Sequence, residues 1–276
     1  MGRGAKILVY SLLAAFVAFS LAPFLWELST SLKPRHEVMR LPQTPLPEDA
    51  TLENYTGVFG RRPFGRYILN SLLVAAASTS IALVAGALAA YSVSRMRRQW
   101  RVWLMLIFLL PGIFPPILFL VPIYDFLGSM RLTNTYIGLI LVHAAFHISI
   151  VFWVLENFFE RFPRDLIDAA RVDGFSHIGA FFRIVIPMAM PVAATAGLLA
   201  FIFSWNEFLY ALTLITKDSL RVATVGISML SGASEHEIPW GQIAAAVVMT
   251  SLPVILVVLM FQRKIVSGLT AGAVKE

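Results

Sequence analysis

Six stretches of this 276-residue chain contain no Asp, Glu, Lys or Arg, and each is long: 7–26, 67–94, 102–124, 132–155, 184–206 and 238–262, between 20 and 28 residues apiece. A helix needs about 20 apolar residues to cross the hydrocarbon core of a bilayer. In lipid the backbone must satisfy its own hydrogen bonds, so each stretch reads as a helix. The pattern predicts an all-α membrane protein with six transmembrane helices in one membrane domain over 1–276. Charged residues make up 14% of the chain, where a soluble domain carries about 25%. Mean hydropathy is +0.76, and too little polar surface remains for these blocks to be the buried helices of a large soluble core.

The formal net charge of +6 does not require nucleic acid, because Lys and Arg at membrane flanks raise the isoelectric point on their own. The chain has no cysteine, which excludes disulfides and thiolate metal sites. The first block is longer than a signal-peptide core, and it ends in Phe24, Leu25 and Trp26 before Glu27 instead of a small-residue cleavage site, so it is expected to be a retained helix.

Six spans put both termini on one side. With the N-terminus inside, the inner segments 1–6, 95–101, 156–183 and 263–276 hold thirteen of the Lys and Arg residues and the outer side nine. This modest bias gives an N-in, C-in topology. The tightest cluster is Arg95, Arg97, Arg98 and Arg101, between two spans. The outer loop 27–66 contains Pro34, Pro42, Pro45, Pro47 and Pro63, which predicts an extended, turn-rich path. Thr51 could open a short helix there as its N-cap. The outer segment 207–237 is polar, with Lys217, Asp218, Arg221, Glu235, His236 and Glu237.

The segment 156–183 is the most informative. Pro163 suits a first helical turn, where its missing amide costs nothing. Asp165 lies where the helix dipole favours negative charge. Gly174 suits the position just past a helix end, where φ is often positive. A short helix is therefore predicted over 164–173, too polar to span. Ser176 is a suitable N-cap for a second helix over 177–186. Pro187 and Pro191 then predict a kink or break where the fifth span begins. This build suits a docking element for a soluble partner and, equally, a plain solvated hairpin.

Within that segment Asp168, Ala169 and Ala170 are followed by Gly174 after three residues, then by Ile184, Ile186 and Pro187. This spacing resembles the EAA loop of ABC importer permeases, with Asp168 in place of the usual Glu and Ile186 in place of Leu. Phe175 stands where a small residue is common. Leu52-Glu53-Asn54-Tyr55, Ser204-Trp205-Asn206-Glu207 and the tail residues Phe261, Gly268, Gly272 and Lys275 resemble the carbohydrate-uptake branch, in particular the smaller permease of maltose-type transporters. The resemblance implies a type I importer permease fold and a sugar substrate. It implies a location in the bacterial cytoplasmic membrane. Its implied partners are a second permease in a heterodimer or a second copy of this chain, two ATPase subunits and an extracytoplasmic sugar-binding protein. Coupling to the ATPase would fall to Leu166, Asp168, Ala169, Ala170, Asp173, Gly174 and Phe175.

A phosphate-binding loop needs a Gly-Lys pair, and none of Lys6, Lys33, Lys217, Lys264 and Lys275 follows a glycine. No cofactor is expected on this chain, and ATP and Mg would be used by the separate ATPase. His143 and His147 share a helix face at i and i+4, a spacing that can hold a metal, but the segment between them lacks the Glu of a zinc-hydrolase helix. A satisfied interhelical hydrogen bond or a water-lined pathway is expected of them. Asn206 and Glu207, at the end of the fifth span, are placed to face sugar or the binding protein and, equally, to form an interfacial cap. Pro111, Pro115, Pro116 and Pro122 interrupt the third span, either as in broken helices that line pathways or only to shape the bundle. Trp26, Trp103, Trp153, Trp205 and Trp240 suit the interfacial belt. No catalytic set falls at helical spacing, which argues against an intramembrane enzyme. The acid-free blocks argue against an ion-coupled secondary transporter. The strongest rival is an ABC permease for another solute, such as glycerol phosphate or a polyol.

Overall fold

The structure, a computed structural model, describes residues 2–230 and 238–270. Glu235, His236, Glu237, Gly272, Ala273, Val274 and Lys275 lie outside the described residues. Five long apolar helices carry the predicted spans: α1 (Arg3–Ser31), α4 (Phe64–Ser94), α7 (Tyr136–Glu160), a run from His177 to Trp205, and α13 (Trp240–Thr270). Short helices lie between them: α2 (Arg35–Val38), α3 (Glu53–Arg61), α8 (Arg164–Val172), α11 (Leu209–Leu214) and α12 (Ala223–Ser228).

The third block is not a straight span. It runs as α5 (Arg98–Ile113), then a 3₁₀ turn leading into α6 (Leu120–Ser129), with a bend of 96° between the two halves. The cause is the Pro115-Pro116 pair. A residue before proline is pushed out of the helical region, and Phe114 (ψ 144°) and Pro115 (ψ 126°) both take extended backbone. The helices also run past the charge-free blocks, so Asp125 falls inside α6, and Glu156 and Glu160 inside α7.

The described residues gather into two compact units. The first comprises Met1–Ile68 with Val225–Pro253. Its outer loop is more ordered than its prolines predict, because polar side chains tie it together. The Glu37 side chain, 3% exposed, accepts from Thr44 Oγ1 at 2.9 Å and from the Glu48 amide at 3.1 Å, and Lys33 donates to the Thr44 carbonyl. Burial pushes the Glu37 carboxyl upward, but these hydrogen bonds and the Lys33 charge outweigh it and hold the group below its usual range. Asn54 closes the end of α1 by donating to the carbonyls of Ser31 (3.0 Å) and Lys33 (2.8 Å), while Tyr55 Oη meets Ser31 Oγ at 2.8 Å. These bonds satisfy carbonyls that a helix end otherwise leaves open. α3 opens one residue later than predicted: the Thr51 hydroxyl accepts from the Glu53 amide at 3.1 Å.

The second unit comprises Leu69–Thr224 with Val254–Glu276. α7 is its centre, packed against α5 and α10 (Ile186–Trp205). Close approach to α4 needs glycine: a Cβ on Gly86 would stand 2.7 Å from Val151, and one on Gly197 would stand 2.9 Å from Leu83. The core of this unit includes Phe152, Leu155, Phe159, Ile167, Phe181 and Val185. Tyr91 bridges three elements within it, its ring 5.5 Å from Phe159 and 4.6 Å from Phe181.

Candidate functional site

The polar hairpin between the fourth and fifth spans forms as predicted at its corner. Pro163 precedes α8 as its N-cap, and Asp165 lies in the first turn. After Val172 the chain turns through Gly174 at φ +88°. The Gly174 amide donates to the Arg171 carbonyl at 3.1 Å, and the Phe175 amide donates to the Ala170 carbonyl at 3.0 Å. This is the paired Schellman bonding that ends a helix at a left-handed residue. The Ser176 hydroxyl then accepts from the Gly179 amide at 3.1 Å and opens α9 (His177–Ala180).

The chain does not break before the fifth span. α9 passes through one π-helical turn, Phe181–Val185, directly into α10. Pro187 has no amide to donate back one turn, and the wider turn just before it accommodates that loss.

The two faces of α8 have different tasks. Ile167 (8% exposed) and Ala170 (3%) point inward and join the core with Phe159, Phe162 and Phe181. Burying an isoleucine contributes on the order of 1.5–3 kcal/mol, so the inner face anchors the short helix to the ends of two spans. Leu166, Asp168, Ala169, Asp173 and Gly174 lie on the exposed side. Ala170, three residues from Ile167, shares the inward face and packs in the core of this unit. Phe175 is half-buried against the same core, with the Arg183 guanidinium 5.4 Å above its ring.

A second polar cluster lies in the bundle. His143 is 2% exposed; its Nδ1 meets Ser204 Oγ at 2.7 Å and its Nε2 meets Glu207 Oε2 at 3.1 Å. Ser204 Oγ continues to Ser78 Oγ at 2.9 Å, which links α4, α10 and α7. Glu207 also accepts the Tyr210 (2.8 Å) and Ala211 (3.0 Å) amides, so it caps α11 while pairing with His143. His147 stands beside His143 with ring centroids 6.0 Å apart, and its Nδ1 has no hydrogen-bond partner among the described residues. Asn206 is not part of this cluster. It is exposed and donates to the Ile202 carbonyl of its own helix at 2.8 Å.

Ser78 and Ser204 were not singled out from the sequence. A lone serine in an apolar helix carries no pattern, although Ser204 stood inside the Ser204–Glu207 motif. Ser204→Ala is expected to destabilise the protein by about 1 kcal/mol, the scale of interhelical hydrogen bonds in membrane bundles. Thermal unfolding in detergent would read this as a lowered midpoint; an unchanged midpoint would remove the cluster from the set of stabilising contacts.

At the C-terminal end of α7, Arg101 holds two carboxylates. Its Nε donates to Glu156 Oε1 at 2.7 Å and its Nη1 pairs with Glu160 Oε1 at 2.5 Å. Glu156 is 1% exposed. Negative charge is unfavourable in the last turn of a helix, and Arg101 offsets it.

Residues 82–270 match the family described as the binding-protein-dependent transport system inner membrane component. The chain belongs to this family. It is similar to the sulfoquinovosyl glycerol transport system permease protein SmoH of Agrobacterium fabrum, 38% identical over 92% of this chain and 89% of that one. It is equally similar to the trehalose transport system permease protein SugB of Mycobacterium tuberculosis, 38% identical over 94% of both. The trehalose/maltose transport system permease protein MalG of Thermococcus litoralis is 34% identical over 98% of this chain and 96% of that one. The fold of the present chain matches a chain in the crystal structure of a bacterial ABC transporter involved in the import of alginate, with a TM-score of 0.78 and 23% identity over 95% of this chain and 98% of that one. The permease is thus an all-α, multi-pass membrane protein with the fold of an ABC importer permease.

Proposed function

We propose that this permease is a membrane-spanning subunit of an ATP-driven importer of sugars or glycosides in the bacterial cytoplasmic membrane, and that the outer face of α8 docks the ATPase. The observation that carries the mechanism is the two-faced hairpin. Ile167 and Ala170 fix α8 to the bundle, while Leu166, Asp168, Ala169 and Asp173 stand free at a corner set by Gly174. A partner that grips this face moves the ends of α7 and α10 with it, because α8 cannot slide independently of the core it shares with them. Leu166 and Ala169 would fill an apolar cleft on the partner, and Asp168 would accept hydrogen bonds or pair with a cation there.

The wider assembly follows the same reading. The N-terminus is inside, a second permease completes the pathway, two ATPase subunits hydrolyse ATP with Mg, and a soluble binding protein delivers cargo from outside. A sugar cargo is favoured because the relatives named for trehalose, trehalose/maltose and sulfoquinovosyl glycerol all carry glycosides by name.

The chain has no cysteine, so Asp168→Cys and Leu166→Cys each supply a single crosslinking handle. In cells expressing the whole transporter, either variant is expected to crosslink to an ATP-hydrolysing subunit and to resist a membrane-impermeant maleimide added outside. Labelling from outside, or no capture of an ATPase, would overturn the docking. Uptake by the reconstituted transporter of glycerol phosphate or a polyol, with none of any sugar, would overturn the cargo.

A further inference from the structure

Beside the hairpin lies an open cleft lined by Ser94, Met96, Arg97, Arg98, Arg101, Val102, Met105, Glu160 and Arg164. Its charge is unbalanced. Arg101 is taken up by Glu156 and Glu160, and Glu160 is the only acid on the lining. The side chains of Arg97, Arg98 and Arg164 are exposed and make no hydrogen bond or ion pair among the described residues, although Arg98 lies within the field of Glu160. The cleft opens at the start of α5, whose first turn has no acidic residue and whose N-cap provides no side-chain bond. Cations there oppose the helix dipole, so the arrangement is relieved by an external anion.

The surroundings identify the anion. α5 buries none of its residues, and Trp100 (62%), Trp103 (67%), Leu106 (49%) and Ile107 (63%) are broadly exposed along it. A helix so apolar on its outer surface faces acyl chains, and tryptophans near its start mark the interfacial level. Val102 and Met105 carry the cleft wall from the arginines toward this apolar surface. The site therefore has a cationic mouth at headgroup height and an apolar wall leading into the bilayer.

We infer that Arg97, Arg98 and Arg164 form a binding site for the phosphate headgroup of an anionic phospholipid, whose acyl chains lie along α5. Guanidinium forks match phosphate oxygens bidentately, and basic pockets between transmembrane helices on the cytoplasmic side suit anionic headgroups. The inference concerns the lipid boundary and does not depend on the cargo.

The test is native mass spectrometry on the whole transporter complex purified in detergent. It would be titrated with phosphatidylglycerol, with phosphatidylcholine of the same acyl chains, and with inorganic phosphate. Phosphatidylglycerol is expected to be retained at one copy per permease, with affinity falling about fivefold for each arginine replaced among Arg97→Gln, Arg98→Gln and Arg164→Gln. The same charge loss at Arg3→Gln with Lys6→Gln should leave retention unchanged. Equal retention of phosphatidylcholine, or retention indifferent to all three arginines, would overturn the site. Inorganic phosphate competing as well as the lipid would make it a free-phosphate site and overturn the lipid assignment. The comparison of the two lipids on the unaltered complex stands even if a variant assembles poorly.

Discussion

Gly174→Val is expected to abolish most sugar-stimulated ATP hydrolysis and uptake while leaving the protein inserted in the membrane at normal levels. The cause is backbone conformation and not crowding. A Cβ at Gly174 would meet nothing within 4 Å, but the residue sits at φ +88°. An L-residue in the left-handed region costs roughly 1–2 kcal/mol, and a β-branched one suffers most. That is a factor of about 5–30 in the population of the correct corner. Relief of the strain requires the corner to rotate, which breaks the Phe175-to-Ala170 and Gly174-to-Arg171 bonds and turns the exposed face of α8 away from the orientation proposed to dock the ATPase. The spans lie outside the corner, so insertion is untouched. Gly174→Asn separates this account from a general sensitivity of the loop, because asparagine tolerates the left-handed region; it should keep most of the activity. Reconstitution with the partner subunits and binding protein gives the measurement. Normal sugar-stimulated hydrolysis in Gly174→Val would sink the coupling role of this corner.

That corner was readable because its residues act locally. Pro163, Asp165, Gly174 and Ser176 each have a conformational preference that operates within a turn of the chain, so their order alone predicts helix, cap, turn and helix. The apolar blocks were readable for a similar reason, since lipid imposes one solution on a long charge-free segment. Contacts formed at long range were not readable. The motif presents Asp168, Ala169 and Ala170 as a unit, yet a helix places Ala170 on the face of Ile167. His143 was seen as polar and inward, but Ser204 lies 61 residues away and Ser78 a further 126 from Ser204. Asn206 and Glu207 are adjacent and carry the same expectation in the sequence. The chain turns between them, so one side chain bonds back to its own helix and the other caps the next. The 96° corner in the third span was signalled by its prolines, but its size depends on two consecutive residues being forced extended, which the mere count of prolines does not convey.

The largest loss of stability from a single substitution is expected at the Arg101 ion pair. Arg101→Ala leaves the Glu156 carboxylate 1% exposed with its one charged partner among the described residues removed. Breaking a buried pair from one side costs roughly 3–5 kcal/mol, because the remaining charge stays desolvated. This exceeds the roughly 1 kcal/mol expected for Ser204→Ala, so the midpoint of thermal unfolding in detergent should fall further for Arg101→Ala than for Ser204→Ala. Arg101→Lys should rescue only in part, since a point charge cannot bond Glu156 through two nitrogens while holding Glu160. The decisive variant is Arg101→Leu combined with Glu156→Leu. Replacing both members of a buried pair with apolar groups is often neutral, so the double variant should be more stable than Arg101→Ala alone, with a marked coupling energy between the sites. If instead the double variant loses as much as the two single changes added together, the pair is not energetically coupled and does not hold α5 to α7.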